Sequence, residues 1–325
     1  MAPKTWTVKE LITVTSDYLK NKEIDAPRLP AEILLAHQLN VTRIKLYLNY
    51  DQPLDDKEIS GYRALIRRRV NREPFQHITG TQEFWSMDFR VGPHVLIPRP
   101  ESELLVEQVV SLYKGNELRL KGGGAILDLG TGSGVLAVSL ARELEGATLW
   151  ASDISEEALE IARLNAKDHG VDERIHFRLG DLWEPFVGQG LKFDVIVTNP
   201  PYIASEAFDA LTPEVRDYEP RVALDGGKGG MLYIERIIRD GTEYLNPGGW
   251  LLIEMDPGQT TEALSLMDES GQYGEKSRIR DYAHQYRFVV AQKKEKRGSG
   301  EGEKRGREEW GKRGEGEAEN GRKDK

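Results

Sequence analysis

The chain has 325 residues, 38% of them hydrophobic, a formal net charge of −9 and no cysteine. That length is ample for a sizeable core in one or two domains. The acidic balance disfavours a protein that wraps a nucleic-acid backbone unaided. The absence of cysteine removes disulfides, zinc–thiolate sites and a thiol nucleophile and fits a reducing compartment. No metal site is expected. The opening "MAPKTWTVKELI" lacks the apolar core of a signal peptide, and no run approaches a membrane span. A cytoplasmic protein without a membrane partner is expected.

Residues 1 to about 75 read as helical. Thr7 and Glu10 have capping-box spacing ahead of Leu11, Ile12, Val14, Tyr18 and Leu19. Pro30 suits the first turn of a second helix through "AEILLAHQL". Asp55 and Glu58 suggest a cap for "ISGYRALIRRRVNRE", which carries Arg67, Arg68, Arg69 and Arg72. That basic face is either merely solvated or a patch for an acidic or RNA-bearing partner. "GTQEFWSMDFRVGPHVLIPRP" then alternates aromatic and polar residues, which predicts a short β-hairpin and a proline-stiffened crossing.

From Glu101 onward, strand and helix patterns alternate. "AILDLG", "ATLWASD", "RIHFRLGD", "FDVIVTNPP", "GGWLLIEM" and "YRFVVAQK" are candidate strands. "GVLAVSLARELE", "SEEALEIARLNAKDHG" and "GMLYIERIIRDGTEYL" are candidate helices. This alternation predicts an α/β fold whose mainly parallel sheet is covered on both faces. The tail beyond about residue 293 is glycine-rich and of mixed charge, with Trp310 its one large apolar residue, so disorder is expected there.

"AILDLGTGSGVLAVSLA" places Gly130, Gly132 and Gly134 between a strand and a helix. Dinucleotide enzymes use such a turn too. Here the spacing is G-x-G-x-G followed by Val135, and Asp128 at the strand end opposes a pyrophosphate while suiting a cationic amino acid part. Asp153 ends the next strand, where a carboxylate accepts from ribose hydroxyls; otherwise it caps "SEEALEIA", a task open to Ser155. Asp181 follows the third strand where an adenine would lie, with Trp183 as an apolar wall or a core residue. Together these positions favour S-adenosylmethionine over NAD.

The fourth strand stops at Asn199, Pro200, Pro201 and Tyr202. Each residue before a proline is pushed toward extended geometry, and the prolines offer no N–H. The stretch therefore presents two acceptors, Asn199 Oδ1 and the Pro200 carbonyl. A planar NH₂ is a poor nucleophile because its lone pair is delocalised. Two acceptors can hold that nitrogen while its lone pair turns to a sulfonium methyl, with Tyr202 stacked on the planar group. No strong base is needed, since the alkylated nitrogen is acidic.

With "REPFQHITGTQEFW", "VLIPRPESE", "ILDLGTGSG", "VTNPPYI", "YEPRVALDGG" and "RDYAHQYRFVVAQ", the sequence resembles the peptide chain release factor N5-glutamine methyltransferases over residues 1 to about 291. The resemblance implies a Rossmann-like class I methyltransferase domain with a mainly parallel seven-stranded sheet over 101–292. Ahead of it would lie a helical substrate-docking domain over 1–75 and a β-hairpin linker over 76–100, and the charged tail would span 293–325. The implied reaction is methylation of the glutamine of the Gly-Gly-Gln tripeptide in class 1 release factors. Carried over by position, Gly130, Thr131, Gly132, Ser133, Gly134, Asp153, Asp181, Trp183 and Asn199 would contact the donor. Asn199, Pro200, Pro201 and Tyr202 would hold the glutamine, and the basic helix would dock the release factor. Ser102 stands where the family usually has threonine, and either Leu182 or Trp183 would lie on adenine. A monomer that does not bind DNA directly is expected. The competing readings are a DNA or RNA exocyclic-amino methyltransferase, which needs base flipping and a basic recognition surface, and a ribosome-associated binding module.

Overall fold

The computed structural model describes residues 5–115 and 124–295. The tail expected to be disordered lies, from residue 296 on, outside the described residues. Five helices come first: α1 (Val8–Lys20), α2 (Arg28–Leu39), α3 (Arg43–Leu48), α4 (Asp56–Val70) and α5 (Phe75–Thr79). Both anticipated capping boxes form, Thr7 with Glu10 on α1 and Asp55 with Glu58 on α4. Pro30 lies in the first turn of α2, which begins two residues earlier, at Arg28. The apolar faces of these helices meet in one core that includes Leu19, Leu34, Leu35, Leu46, Tyr62 and Ile78. Ile78 belongs to α5, so this core runs past residue 75.

Next come β1 (Thr81–Phe84) and β2 (Met87–Arg90), an antiparallel hairpin as the alternating pattern predicts. A 3₁₀ turn over Pro100–Ser102 leads into α6 (Glu103–Lys114). Glu103 accepts the Trp85 N–H at 2.7 Å, and Asn165 accepts the Arg90 N–H at 2.8 Å, which pins the hairpin against the domain that follows.

That domain comprises β3 (Ala125–Leu129), α7 (Val135–Glu143), β4 (Thr148–Asp153), α8 (Glu156–Asp168), β5 (Ile175–Leu179), β6 (Phe193–Thr198), α9 (Pro213–Arg216), α10 (Leu232–Tyr244), β7 (Leu245–Glu254), α11 (Thr260–Ser270), β8 (Tyr273–Arg280) and β9 (Tyr286–Lys293). Its seven strands are ordered β5-β4-β3-β6-β7-β9-β8, with β9 antiparallel to both of its neighbours. This is the Rossmann-like arrangement of class I methyltransferases. Strand periodicity explains the all-apolar "VIV" of β6: Val195 and Val197 pack with α6 and α7 on one face, while Ile196 packs with α10 and α11 on the other. Strand order reverses between β3 and β6, and a crevice is expected at the carboxyl ends of the strands at such a point. The Thr198 hydroxyl donates to the Leu129 carbonyl at 2.6 Å and ties the two strand ends together there.

Candidate active site

The crevice is a cleft of about 1020 Å³. Four strand ends supply its floor. Gly130 to Ser133 follow β3, Asp153 ends β4, Asp181 and Leu182 follow β5, and Asn199 follows β6; all of them line it. The glycines do what a close-approach loop requires. Gly130 and Gly132 have φ of 76° and 54°, and a Cβ on either would meet nothing within 4 Å, so both turn bare backbone toward the cleft. Gly134 has a different task. Its Cβ would sit 3.0 Å from Ala162 Cβ, so it permits close packing of helices and does not line the cleft.

Asp153 is held by two backbone donors, the N–H of Gly132 at 2.8 Å and of Ser155 at 3.0 Å. Burial raises its pKa. The cap of α8 is Ser155, whose hydroxyl accepts the Ala158 N–H, so Asp153 is not needed for that task. Asp181 lines the cleft and pairs with Arg236 at 2.7 Å. Asp128, expected to face a cationic ligand, is instead fully buried behind the loop. Its Oδ2 accepts the Thr131 hydroxyl at 2.6 Å and the Ala137 N–H at 3.1 Å, while Oδ1 has no partner among the described residues. Desolvation pushes its pKa up to about 7. The side chain fastens the loop to α7.

Trp183 is a second correction. Leu182 adopts a left-handed φ of 48°, uncommon for a branched side chain, and lines the cleft. The next residue is thereby sent the other way. Trp183 is 6% exposed and stacks on Tyr244, with ring centroids 4.6 Å apart and planes 3° from parallel. It is a core residue.

Asn199 sits in a relay that spacing alone did not reveal. Its Nδ2 donates to Ser102 Oγ at 3.1 Å, and the Ser102 hydroxyl donates to Glu254 Oε2 at 2.6 Å. The Tyr202 hydroxyl donates to the other oxygen of Glu254 at 3.3 Å. Glu254, the last residue of β7, is 1% exposed, and burial pushes its pKa up to about 7. No hydrogen bond from the described residues reaches Asn199 Oδ1 or the Pro200 carbonyl. Pro201 lines the cleft; Pro200 and Tyr202 do not. Tyr202 packs on the core beneath, so its hydroxyl anchors the turn.

Two further segments complete the site. His94 to Leu96, Pro98 and Ser102 form one wall of the cleft. Glu219 braces that wall, accepting the Ile97 N–H at 2.9 Å and Arg99 at 2.5 Å. The loop after Asp225 lies against the N-P-P-Y turn, and Gln259 Nε2 donates to the carbonyls of Tyr202 and Gly229 at 2.9 and 3.0 Å.

Two family models match the chain, one described as the PrmC N-terminal domain over residues 10–80 and one as the methyltransferase small domain over residues 102–215. The release factor glutamine methyltransferase of Geobacter sulfurreducens is 42% identical over 269 residues, 83% of this chain and 91% of its own length. The chain belongs to the release factor glutamine methyltransferase family. Its relative of that name from Rhodopirellula baltica is 38% identical over 292 residues, 89% of this chain and 97% of the other. Among solved structures, a methyltransferase from Pyrococcus furiosus is 20% identical, with a TM-score of 0.46 over 73% of this chain and 99% of that one.

In this member of the release factor glutamine methyltransferase family, the basic stretch on and just after α4 is exposed at Arg63, Arg67 and Arg68 but engaged within the protein at Arg69 and Arg72. Arg68 pairs with Glu73 at 2.6 Å. Arg69 and Arg72 reach Glu214 on α9 at 2.7 and 3.4 Å, and Arg72 also donates to the carbonyls of Lys22 and Glu23. Only Arg63 and Arg67 remain exposed without an ion pair among the described residues. Arg69 is 8% exposed, so Glu214→Ala leaves a nearly buried cation with one carbonyl partner. The expected loss is about 1–2 kcal/mol, below the range for fully buried pairs because Glu214 reaches water. Urea unfolding of the variant, alone and combined with Arg69→Met, measures it, and additive losses would show that the pair contributes nothing.

Proposed function

We propose that this chain transfers a methyl group from S-adenosylmethionine to the side-chain amide nitrogen of the glutamine in the Gly-Gly-Gln tripeptide of class 1 release factors. One observation carries the reading. A proline-stiffened turn at the switch point puts Asn199 in the cleft lining and leaves its Oδ1 with no donor among the described residues. An acceptor left open there suits an incoming N–H. The Pro200 carbonyl, equally without a donor among the described residues though Pro200 is not itself in the cleft lining, would be the second acceptor, one for each hydrogen of an amide NH₂. Their effect is to position the nitrogen and to stabilise the positive charge it develops.

The residues fit the donor. Bare backbone at Gly130 and Gly132 admits close approach, Asp153 has lone pairs left for ribose hydroxyls, and Leu182 and Asp181 border the place of adenine. When bound, the donor supplies an electrophilic methyl on a sulfonium. The protein holds the amide, keeps its N–H groups paired and releases the surplus proton to water. Residues 1–75 serve as the docking unit, 76–100 as the hairpin connection and 101–292 as the catalytic unit. Within the docking unit Arg63 and Arg67, rather than the whole basic face, are left to meet a partner.

Incubation with labelled donor and purified release factor, followed by mapping of the modified residue, tests the substrate. Label is expected on the Gly-Gly-Gln glutamine and absent when that residue is alanine. Label on DNA or ribosomal RNA run in parallel, and not on the factor, would overturn the reading. For the donor site, Asp153→Ala removes a ribose acceptor together with the anchor of the Gly132 N–H. Donor affinity is expected to fall by about 1.5–3 kcal/mol, the range for hydrogen bonds to charged groups. Release-factor affinity should move less than twofold, as calorimetry of each ligand separately would show. Equal weakening of both would argue against the assignment.

A further inference from the structure

We infer that Ser102 and Glu254 are positioning residues that decide which end of the Asn199 side-chain amide meets the acceptor. This rests on the reading of Asn199 as the residue that receives the substrate N–H. The oxygen and nitrogen of an asparagine amide are nearly equal in size, so packing barely distinguishes the two orientations and hydrogen bonding must do so. One orientation offers an acceptor to the cleft. The other offers an NH₂, which would face the NH₂ of the substrate donor to donor.

The relay removes that ambiguity step by step. An ionised Glu254 accepts only, so the single proton of the Ser102 hydroxyl, 2.6 Å away, points to it. Ser102 Oγ then has only lone pairs for Asn199, 3.1 Å away, and only Nδ2 can donate to them. Oδ1 is therefore the end left without a partner among the described residues, on a residue that lines the cleft. The Tyr202 hydroxyl donates to the second Glu254 oxygen at 3.3 Å, so both ends of the N-P-P-Y turn are referred to one buried carboxylate.

Protonation of Glu254 reverses the polarity. Its hydroxyl then donates to Ser102 Oγ, the serine proton swings toward Asn199, and the stable partner for that proton is Oδ1. The amide turns over and the cleft receives a donor. The groups that face Glu254 are Ser102 and Glu101 on the 3₁₀ turn, Tyr202 on the N-P-P-Y turn and Arg287 on β9. Arg287 favours the charged form but is shared with Asp281 at 2.9 Å. Burial is the largest influence and favours the neutral form, bringing the titration to about 7. The competent orientation is thus present above that pH and lost as pH falls through it.

The test combines kinetics with a signal that needs no substrate. The side-chain ¹⁵NH₂ resonance of Asn199, assigned through Asn199→Ala, is followed between pH 5.5 and 8.5 in the full chain without ligands. It is expected to shift with a midpoint near 7 in the wild type, to stay fixed in Glu254→Gln, and to lose its bonded position in Ser102→Ala. In single turnover with saturating S-adenosylmethionine, a one-proton switch of that midpoint makes the rate about tenfold lower at pH 6 than at pH 8. Ser102→Ala should lose at least tenfold in rate at pH 8 with donor affinity within twofold, and Ser102→Thr should restore most of it. A wild-type pH limb that persists in Glu254→Gln overturns the proposal, and so does an Asn199 resonance indifferent to pH and to Ser102→Ala. If the wild type methylates no release factor, the substrate reading fails on its own, and the resonance still decides the relay.

Discussion

If Asn199 receives the substrate N–H as proposed, Asn199→Ala is expected to slow methyl transfer by roughly two orders of magnitude, on the order of 3 kcal/mol, as does removal of one pre-positioned hydrogen bond in other transition states. The deleted atom is an acceptor that the fold has already paired on its far side, through Nδ2 to Ser102 at 3.1 Å. It therefore costs little reorganisation to use, and its loss falls on the rate. The Asn199 backbone stays extended because Pro200 follows it, and the Pro200 carbonyl remains as one acceptor. Rapid-quench single turnover against a release factor separates the step from binding. The expected pattern is a fall in rate with factor affinity little changed, and near-normal turnover would sink the assigned role.

Gly230→Ala is expected to disable the site from behind. Gly230 has a φ of 75°, and a Cβ there would lie 2.0 Å from the Tyr202 carbonyl oxygen and 2.3 Å from Gln259 Nε2. Neither neighbour can yield cheaply. The first is backbone of the N-P-P-Y turn, and the second is the donor that bonds the Tyr202 and Gly229 carbonyls. Left-handed strain and overpacking together cost about 2–5 kcal/mol of stability. Because the displaced backbone carries Tyr202, transfer should fall at least as far as in Asn199→Ala. Donor affinity, which the proposed function assigns to Gly130, Gly132 and Asp153, should change little. Thermal unfolding and donor titration together check this, and an active variant of unchanged melting temperature would show that the loop does not brace the turn.

Much of this architecture is legible in the chain because it is local. Both capping boxes, the hairpin, the glycine turn and six of the seven sheet strands announce themselves through spacings of two to four residues. β8 escapes notice because it is an edge strand whose charged residues face water, and it lacks the apolar alternation that marks a half-buried strand. α6 lacks the usual start signal, since the Ser102 side chain that would cap it is spent on Glu254. α11 is only weakly amphipathic, so its spacing carries little helix signal.

By itself, the sequence determined the alternating α/β pattern, the glycine loop after the first sheet strand and a proline-stiffened corner after the fourth. These follow from backbone stereochemistry, where glycine and proline act on their immediate neighbours wherever the chain goes. Only the tertiary structure decided which side chains share a hydrogen-bond chain and which charges are already taken. Ser102 and Glu254 are 152 positions apart and meet only because the turn before α6 crosses the end of β7. Arg69 and Arg72 look free in sequence and are taken by Glu214, 145 positions from Arg69. Trp183 turned inward and Leu182 outward on one left-handed residue. Hydrogen bonds and ion pairs act over about 3 Å of space, and distance along the chain carries no record of them.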